Sequence, residues 1–489
     1  MRRLTLAVSL LIAVASSTAF AQVTVVRTFR GMNGPNPPEN AAVSADLMGG
    51  VSPTHLVGFI NAGFSVRLKS DGREVRPPQT LAEFWTAAFK NAGAEMPGNP
   101  YDPRIFFDPL TLRWFATCNS NIGGLTKHMF IAVSADADPT HPWKAVDFEA
   151  RVLVDNMKLG LDKHGFYTTA LSGTRDENAT VPVIAIPKQD LLWQGATAPS
   201  LAHLNYMEVP LEPRMADKKF PGQEGMVPAF DLNPAKKPGD PAIFINRYRR
   251  EVGGETIIQV RKVTWTTPST ATLSEPTNIG LGAHYAVQPT KMAEQPLLPG
   301  GQPSPPIRPG EARIVNAVVR HGSVWAIAGT DVNDRAAAFW VEIDLKTMTL
   351  VQHGTLADPS AHIVFPSLNV DANGNLGIAM TRVGATEAAS TFVTGRLRTD
   401  PPNTLRPLVK AVEGMFVYFK KETDLSNPGQ TVQWSDYSTV VMDPSDPALF
   451  WSYQMAATND CLPREINGGK FGTTWVGFRL GPSGKKGSR

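Results

Sequence analysis

One pattern recurs along the 489-residue chain and bounds what it can fold into: an alternating apolar run, a short turn, and a second alternating run. The cleanest copy is Pro366–Arg382 (PSLNVDANGNLGIAMTR), where Asn and Gly accept the positive φ that short hairpin turns demand. Met157–Leu171 (MKLGLDKHGFYTTAL), Pro103–Asn119 (PRIFFDPLTLRWFATCN) and Tyr437–Met455 (YSTVVMDPSDPALFWSYQM) each open the turn with an Asp, whose carboxylate can accept backbone N–H bonds. Ile314–Thr330 carries Arg-His-Gly in that place, and Asp46–Ala62 and Pro228–Tyr248 are looser copies, which brings the number of hairpins to seven.

Each hairpin is followed by one or two further β-like runs, among them HMFIAVSA from His128, PVIAIP from Pro182, TIIQVRKVTW from Thr256, AAFWVEID from Ala337 and STFVTGRL from Ser390. A repeated unit of about four strands is a propeller blade, so the sequence predicts an all-β, seven-bladed β-propeller. No blade can bury both of its faces alone, and the large side chains Phe106, Trp114, Phe166, Trp325, Trp340 and Trp451 are expected to fill the gaps between sheets. Val23–Arg30 at the start and Thr473–Leu480 at the end are isolated strands; pairing them in the last blade would close the ring and remove two free edges. Only Thr80–Glu95 reads as a helix, with Leu81, Phe84, Trp85 and Ala88 at helical spacing, either packed on the propeller or serving as a lid. Thr174–Thr180 and Val287–Gly310, rich in charge or in Pro and Gly, read as surface loops.

The first 21 residues carry two arginines, an apolar run from Leu4 to about Val14 and the small-x-small site Ala19-Phe20-Ala21, the features of a secretory signal peptide. The expectation is a secreted or periplasmic protein whose residues 22–480 form a single propeller domain, followed by a disordered basic tail at 481–489. Seven blades would then take about 67 residues each, above the usual repeat length of about 40–50, so long loops must account for the excess. No later stretch reaches the roughly 18 apolar residues of a membrane span. Lys and Arg are scattered among acids at a formal charge of +3, which gives no reason to expect a nucleic-acid partner.

Export permits a disulfide between Cys118 and Cys461, but Cα separation decides it and the sequence leaves the question open. The histidines form no HExxH and the two cysteines no CxxC, and GxSxG and the phosphate-loop pattern are missing, so neither a metal site nor a cofactor is called for. Asp371–Asn375 (DANGN) has calcium-like oxygens but lacks the distal Glu and the spacing of an EF-hand; a hairpin turn accounts for it. Asn178-Ala179-Thr180 matches a glycosylation sequon.

Several pieces together, YDPRIFFD with LRW (Tyr101–Trp114), DNMKLG (Asp155–Gly160), VTGRLRTDP (Val393–Pro401), WSDYSTVVMDP (Trp434–Pro444) and the closing TTWVGF, resemble a group of secreted bacterial β-propeller proteins that mostly carry no assigned activity. The resemblance implies the fold and an exported protein. It departs from the group's pattern at Ser435, where Gly is usual, and at Asn156 and Met157, where Tyr-Pro is usual.

In a propeller the first strand of each blade lines the central channel, and the residues just before it sit at the mouth. That selects Asp102 and Arg104, Asp155 and Lys158, Gln223 and Glu224, Arg313 and Asn316, His362 and Ser367, and Asp436, Tyr437 and Ser438. The ligand-binding candidates are Asp102, Arg104, Asp155, Lys158, Glu224, His362, Asp436 and Tyr437. Carboxylates and cations converging on one funnel would suit a glycan or another surface polymer, and Asp436, between Trp434 and Tyr437, joins a carboxylate to aromatic faces. The reading is a binding or scaffold protein; the alternative is a hydrolase or polysaccharide lyase working with a carboxylate pair or a Tyr-Asp or Lys-Asp pair in the same funnel. A third account is that these groups only pin strands together and satisfy buried backbone.

Overall fold

The computed structural model describes residues 22–33, 45–61, 63–122, 124–172, 180–210, 225–252, 254–286, 291–310, 312–419, 427, 429–458 and 470–481. The signal-peptide reading, the tail beyond 481, Cys461, Asn178 and Glu224 with Gln223 lie outside them. Seven separate sheets form, each made of strands consecutive in sequence except for the closing one. The predicted β-propeller is what the chain adopts.

The innermost strands of blades I to VII are Met48–Val51, Asn99–Asp108, Val154–Leu161, Val227–Pro228, Ile314–Arg320, His362–Val370 and Thr439–Asp443. They are the first strands of the seven hairpins read from sequence. Blade VII is completed by Val23–Asn33, which runs antiparallel to Lys470–Leu480 from Val23 opposite Leu480 to Asn33 opposite Gly472. The first strand of the chain therefore sits on the outer edge of its last blade and closes the ring.

Phe106, Trp114, Phe166, Trp325, Trp340 and Trp451 are all buried, as their spacing in the repeats implied. Between blades I and II the gap is capped by the helix Leu81–Asn91. Thr80 starts it with a capping box, accepting from the Glu83 N–H while the Glu83 carboxylate accepts from the Thr80 N–H. Its stripe of Leu81, Phe84, Trp85, Ala88 and Phe89 is buried against Phe59, Phe64, Phe130 and Trp143. Packing, and not a hinged lid, uses that stripe.

Over its described part, 291–310, the expected surface loop at Val287–Gly310 is a loop, with many residues exposed, but it is pinned by buried anchors. Ala293 and Ile307 are fully buried and Leu298 nearly so, in one cluster with Val417, Tyr418, Phe419, Val432 and Trp434. Gln295 anchors the segment, donating to the Pro305 and Tyr418 carbonyls and accepting the Tyr418 N–H. Pro and Gly keep the segment irregular, with only isolated bridges from Ala293 to Ile307 and from Ile307 to Val432.

Two ends of the ring differ. At the turn face, where the first hairpin of each blade reverses, the Asp that opens the turn takes a lysine from the next blade. Asp108 of blade II pairs with Lys188 of blade III at 2.7 Å, Asp162 of blade III with Lys236 of blade IV at 3.0 Å, and Asp443 of blade VII with Lys69 of blade I at 2.8 Å. All six side chains are buried or nearly so, and the last pair crosses the closure. Asp371, in DANGN, instead accepts the Asn373 and Asn375 N–H groups at 2.8 and 2.9 Å, with Gly374 at φ 82°, so its oxygens serve the turn. Among the described residues no helix is long and apolar enough to cross a membrane.

Candidate functional site at the channel mouth

At the opposite end, where the inner strands begin, four blades share a local device. Asp46, just before the inner strand of blade I, and Asp102, Asn156 and Phe365, early in those of blades II, III and VI, all adopt positive φ, at 42°, 54°, 47° and 49°. Asp and Asn tolerate this left-handed conformation better than other non-glycine residues. In blades II, III and VI it coincides with a break of pairing register, between Tyr101 and Arg104, between Asp155 and Lys158, and between Val364 and Ser367. Such bulges re-aim the side chains that follow them.

The result is a hydrogen-bonded layer that crosses the ring closure. The Asp436 N–H of blade VII donates to Asp46 Oδ1 of blade I at 2.7 Å, and Asn61 Nδ2 donates to Asp46 Oδ2 at 2.7 Å. Asn61 Oδ1 accepts the Asp102 N–H at 2.6 Å, and Asp102 Oδ2 accepts the Asn156 N–H of blade III at 3.1 Å. Asn156 Oδ1 then takes two cations, Arg104 Nη2 at 2.8 Å and Lys158 Nζ at 2.7 Å. Arg104 Nε donates to the Met157 carbonyl at 2.8 Å, and its guanidinium lies 3.4 Å from the centroid of the Tyr437 ring, whose hydroxyl donates to the Pro103 carbonyl at 3.0 Å.

Asp102, Arg104, Lys158 and Tyr437, chosen from sequence, are thus brought together, and they are buried, with Tyr437 wholly enclosed. Burial and the nearby carboxylates of Asp46, Asp155 and Asp436 push the Asp102 carboxyl well above the ordinary range, against the pull of Arg104. Burial, then Arg104 and Arg313, press the Lys158 ammonium well below its usual value. Burial likewise raises the Tyr437 phenol well above its own. Among the described residues neither Arg104 nor Lys158 forms an ion pair with a carboxylate.

Asp155 and Asp436 are exposed at the rim. Asp155 Oδ1 accepts the Asn156 N–H at 3.0 Å, and Asp436 Oδ1 accepts from Gln433 Nε2 at 3.0 Å. The aromatic faces expected beside Asp436 are not offered to a ligand. Trp434 is buried and donates its indole N–H to Thr381 at 3.2 Å, and Tyr437 is covered by Arg104.

His362 is not brought to this cluster. Its Nδ1 accepts the Ala336 N–H of blade V at 3.1 Å, and burial and Arg335 lower its basicity. Ser367, Ser438 and Asn316 stitch neighbouring blades: Ser367 accepts the Val440 N–H, Ser438 donates to the Phe365 carbonyl, and Asn316 exchanges two bonds with the Leu368 backbone. For those three the pinning account is the one the geometry bears out. Asp46, Asn61 and Asn156 were missed, although Asp46 and Asn156 occupy the repeat position of Asp102.

No protein-family model matches the chain, and no curated protein matches it. Solved propellers do, at low identity. Extracellular domains 1-2 of Drosophila Semaphorin 1b are 8% identical with a TM-score of 0.41, over 93% of this chain and 87% of that one. The Dos1 propeller is 9% identical with a TM-score of 0.40, over 95% and 96%. A Trypanosoma rangeli sialidase, solved with the inhibitor DANA, is 10% identical with a TM-score of 0.34, over 78% of this chain and 55% of the sialidase, so the chain spans about half its length. Likeness at this level carries nothing about chemistry.

Proposed function

We propose that this chain is an exported β-propeller binding protein that docks a hydroxyl-rich polymer, a polysaccharide or another surface glycan, on the channel mouth where the inner strands begin. The observation that carries the reading is the pair of exposed carboxylates, Asp155 and Asp436, held on blades III and VII over a layer locked by hydrogen bonds across four blades. Carboxylates fixed before a ligand arrives can accept sugar hydroxyls without an ordering cost. Export is supported by the apolar leader with its small-x-small site.

One observation favours the catalytic alternative. A carboxyl such as Asp102, whose hold on its proton is strengthened by burial and by neighbouring carboxylates, has the character a general acid needs. Against it, Asp102 is enclosed and its Oδ2 is committed to the Asn156 N–H. Titrating the purified mature chain with a soluble neutral glucan and with a polyuronate, while following new reducing ends and unsaturated uronate, separates the two. Saturable binding without product supports the binding protein; turnover that Asp102→Asn abolishes supports the enzyme.

A further inference from the structure

Behind the mouth the channel continues, and its chemistry changes along its length. Its inner section, about 30 Å³, is lined by Arg104 and Lys158 together with Met48, Ser367, Ser438 and Thr439. Its outer section, about 200 Å³, opens toward the turn face and is walled by Phe106, Phe230, Val318, Val441 and Leu232. The two sections meet at a common wall formed by Phe106, Phe230, Val318, Asn369 and Val441. Phe106 and Phe230 stack at 4.1 Å between centroids and make one apolar wall. Pro109, Leu232 and Met442 at the outer rim are half-exposed.

We propose that this channel is a binding site for a monocarboxylate with an apolar tail, its carboxylate on Arg104 and Lys158 and its tail against Phe106, Phe230, Val318 and Val441. Two cations, each more than nine-tenths buried, share one neutral acceptor, Asn156 Oδ1. The Asp46 and Asp102 carboxylates that lie near are held by the Asn61 amide and by the backbone N–H groups of Asp436 and Asn156. Asp46, Asp102 and Asp436 act on these cations only from beyond ion-pair distance, and the atoms in contact with them are neutral. Buried cations met only by neutral groups are costly, and an anion in contact offsets that cost. Because one water needs roughly 10–15 Å³, the inner section admits a group of two or three heavy atoms, the size of a carboxylate and too small for a phosphate or a sugar ring. Arg320 donates to the Val370 carbonyl and lines only the outer section, so it does not reach the group seated on Arg104 and Lys158.

Isothermal titration of the full chain with acetate, butanoate and hexanoate, with hexan-1-ol and chloride as controls, tests this. The expected result is one site per chain, affinity rising about fourfold per added methylene, and no measurable binding of hexan-1-ol. Lys158→Met should weaken hexanoate at least tenfold. Val441→Phe, which leaves both cations in place and narrows the apolar section, should do the same to hexanoate while sparing acetate. Affinity that does not grow with chain length, or chloride binding as tightly as hexanoate, would overturn the proposal in favour of a free small anion. Hexanoate affinity unchanged in both variants, or lost only in Arg320→Met, would overturn it as well.

Discussion

Lys188→Met is the sharpest test of how the blades are held together. Lys188 reaches from the end of the third strand of blade III to Asp108 of blade II, with Nζ 2.7 Å from Oδ2, and the two side chains are 3% and 0% exposed. Removing one partner of a buried pair costs about 3–5 kcal/mol, because the other charge is left behind in a medium that solvates it poorly. Here the Leu110 N–H at 3.0 Å and the Thr111 hydroxyl at 2.7 Å still reach Asp108, which places the loss at the lower end, about 3 kcal/mol. For a chain of 489 residues the unfolding entropy is about 1 kcal/mol/K, so the same loss lowers Tm by only about 3 °C if unfolding is cooperative. Urea unfolding followed by tryptophan fluorescence is therefore the better assay. The double variant Asp108→Asn/Lys188→Met leaves no buried charge and keeps an acceptor for the turn, so it should recover more than half of the loss. A single variant within about 0.5 kcal/mol of the parent, the spread of neutral surface changes, would refute the reasoning.

Asp102→Asn should become more stabilising as pH rises. The folded protein holds the Asp102 proton well above the ordinary carboxylate range, while the unfolded chain sheds it near pH 4, so the parent loses stability from about pH 4 up through the folded value and the variant does not. A Tm difference that stays flat between pH 5 and 8 would contradict this. Tyr437→Phe should cost about 1–3 kcal/mol in urea unfolding, because the buried Pro103 carbonyl loses its donor while the contact with Arg104 remains. Deleting Val23–Asn33 strips the edge of blade VII and should cause aggregation or a clear fall in Tm; a truncated chain that melts like the parent would argue against ring closure. Cys118 lies fully buried among Phe130, Trp85 and Trp114, so it should resist alkylation in the native chain, and alkylation after unfolding without reduction should show whether it is bridged to Cys461.

The architecture was legible because a hairpin leaves a local trace. Alternation with a period of two and an Asp or Asn-Gly at the turn occur within some seventeen residues, and seven such traces with a lone strand at each end leave little choice but a closed ring. What governs the site is not local. Asn61 speaks to Asp102, and Asp46 to Asp436 across 390 residues, only because the ring brings their blades together. The repeat could still have pointed to Asp46 and Asn156, since both hold the positive-φ position that Asp102 holds, two residues before the side chain that lines the channel. His362 misled because polarity beside an inner strand does not fix which way a side chain turns, and its ring went between blades V and VI. Trp434 and Tyr437 misled for a related reason: large rings next to a carboxylate resemble a sugar platform in sequence, but the cheapest place for them was inside. The segment 291–310 is the loop its sequence implies, but Pro and Gly hide the burial of Ala293, Leu298 and Ile307 within it.

The claim that the mouth binds a hydroxyl-rich polymer through its rim is tested most directly by one comparison. The parent and the Asp155→Asn/Asp436→Asn double variant are titrated calorimetrically with the same soluble neutral glucan and the same polyuronate, with Tm measured alongside. Hydrogen bonds to charged groups contribute about 1.5–3 kcal/mol, so the account predicts parent binding to at least one polymer, weakened tenfold or more in the variant, at an unchanged Tm. Equal affinity in parent and variant, or binding by neither to any polymer, would contradict it.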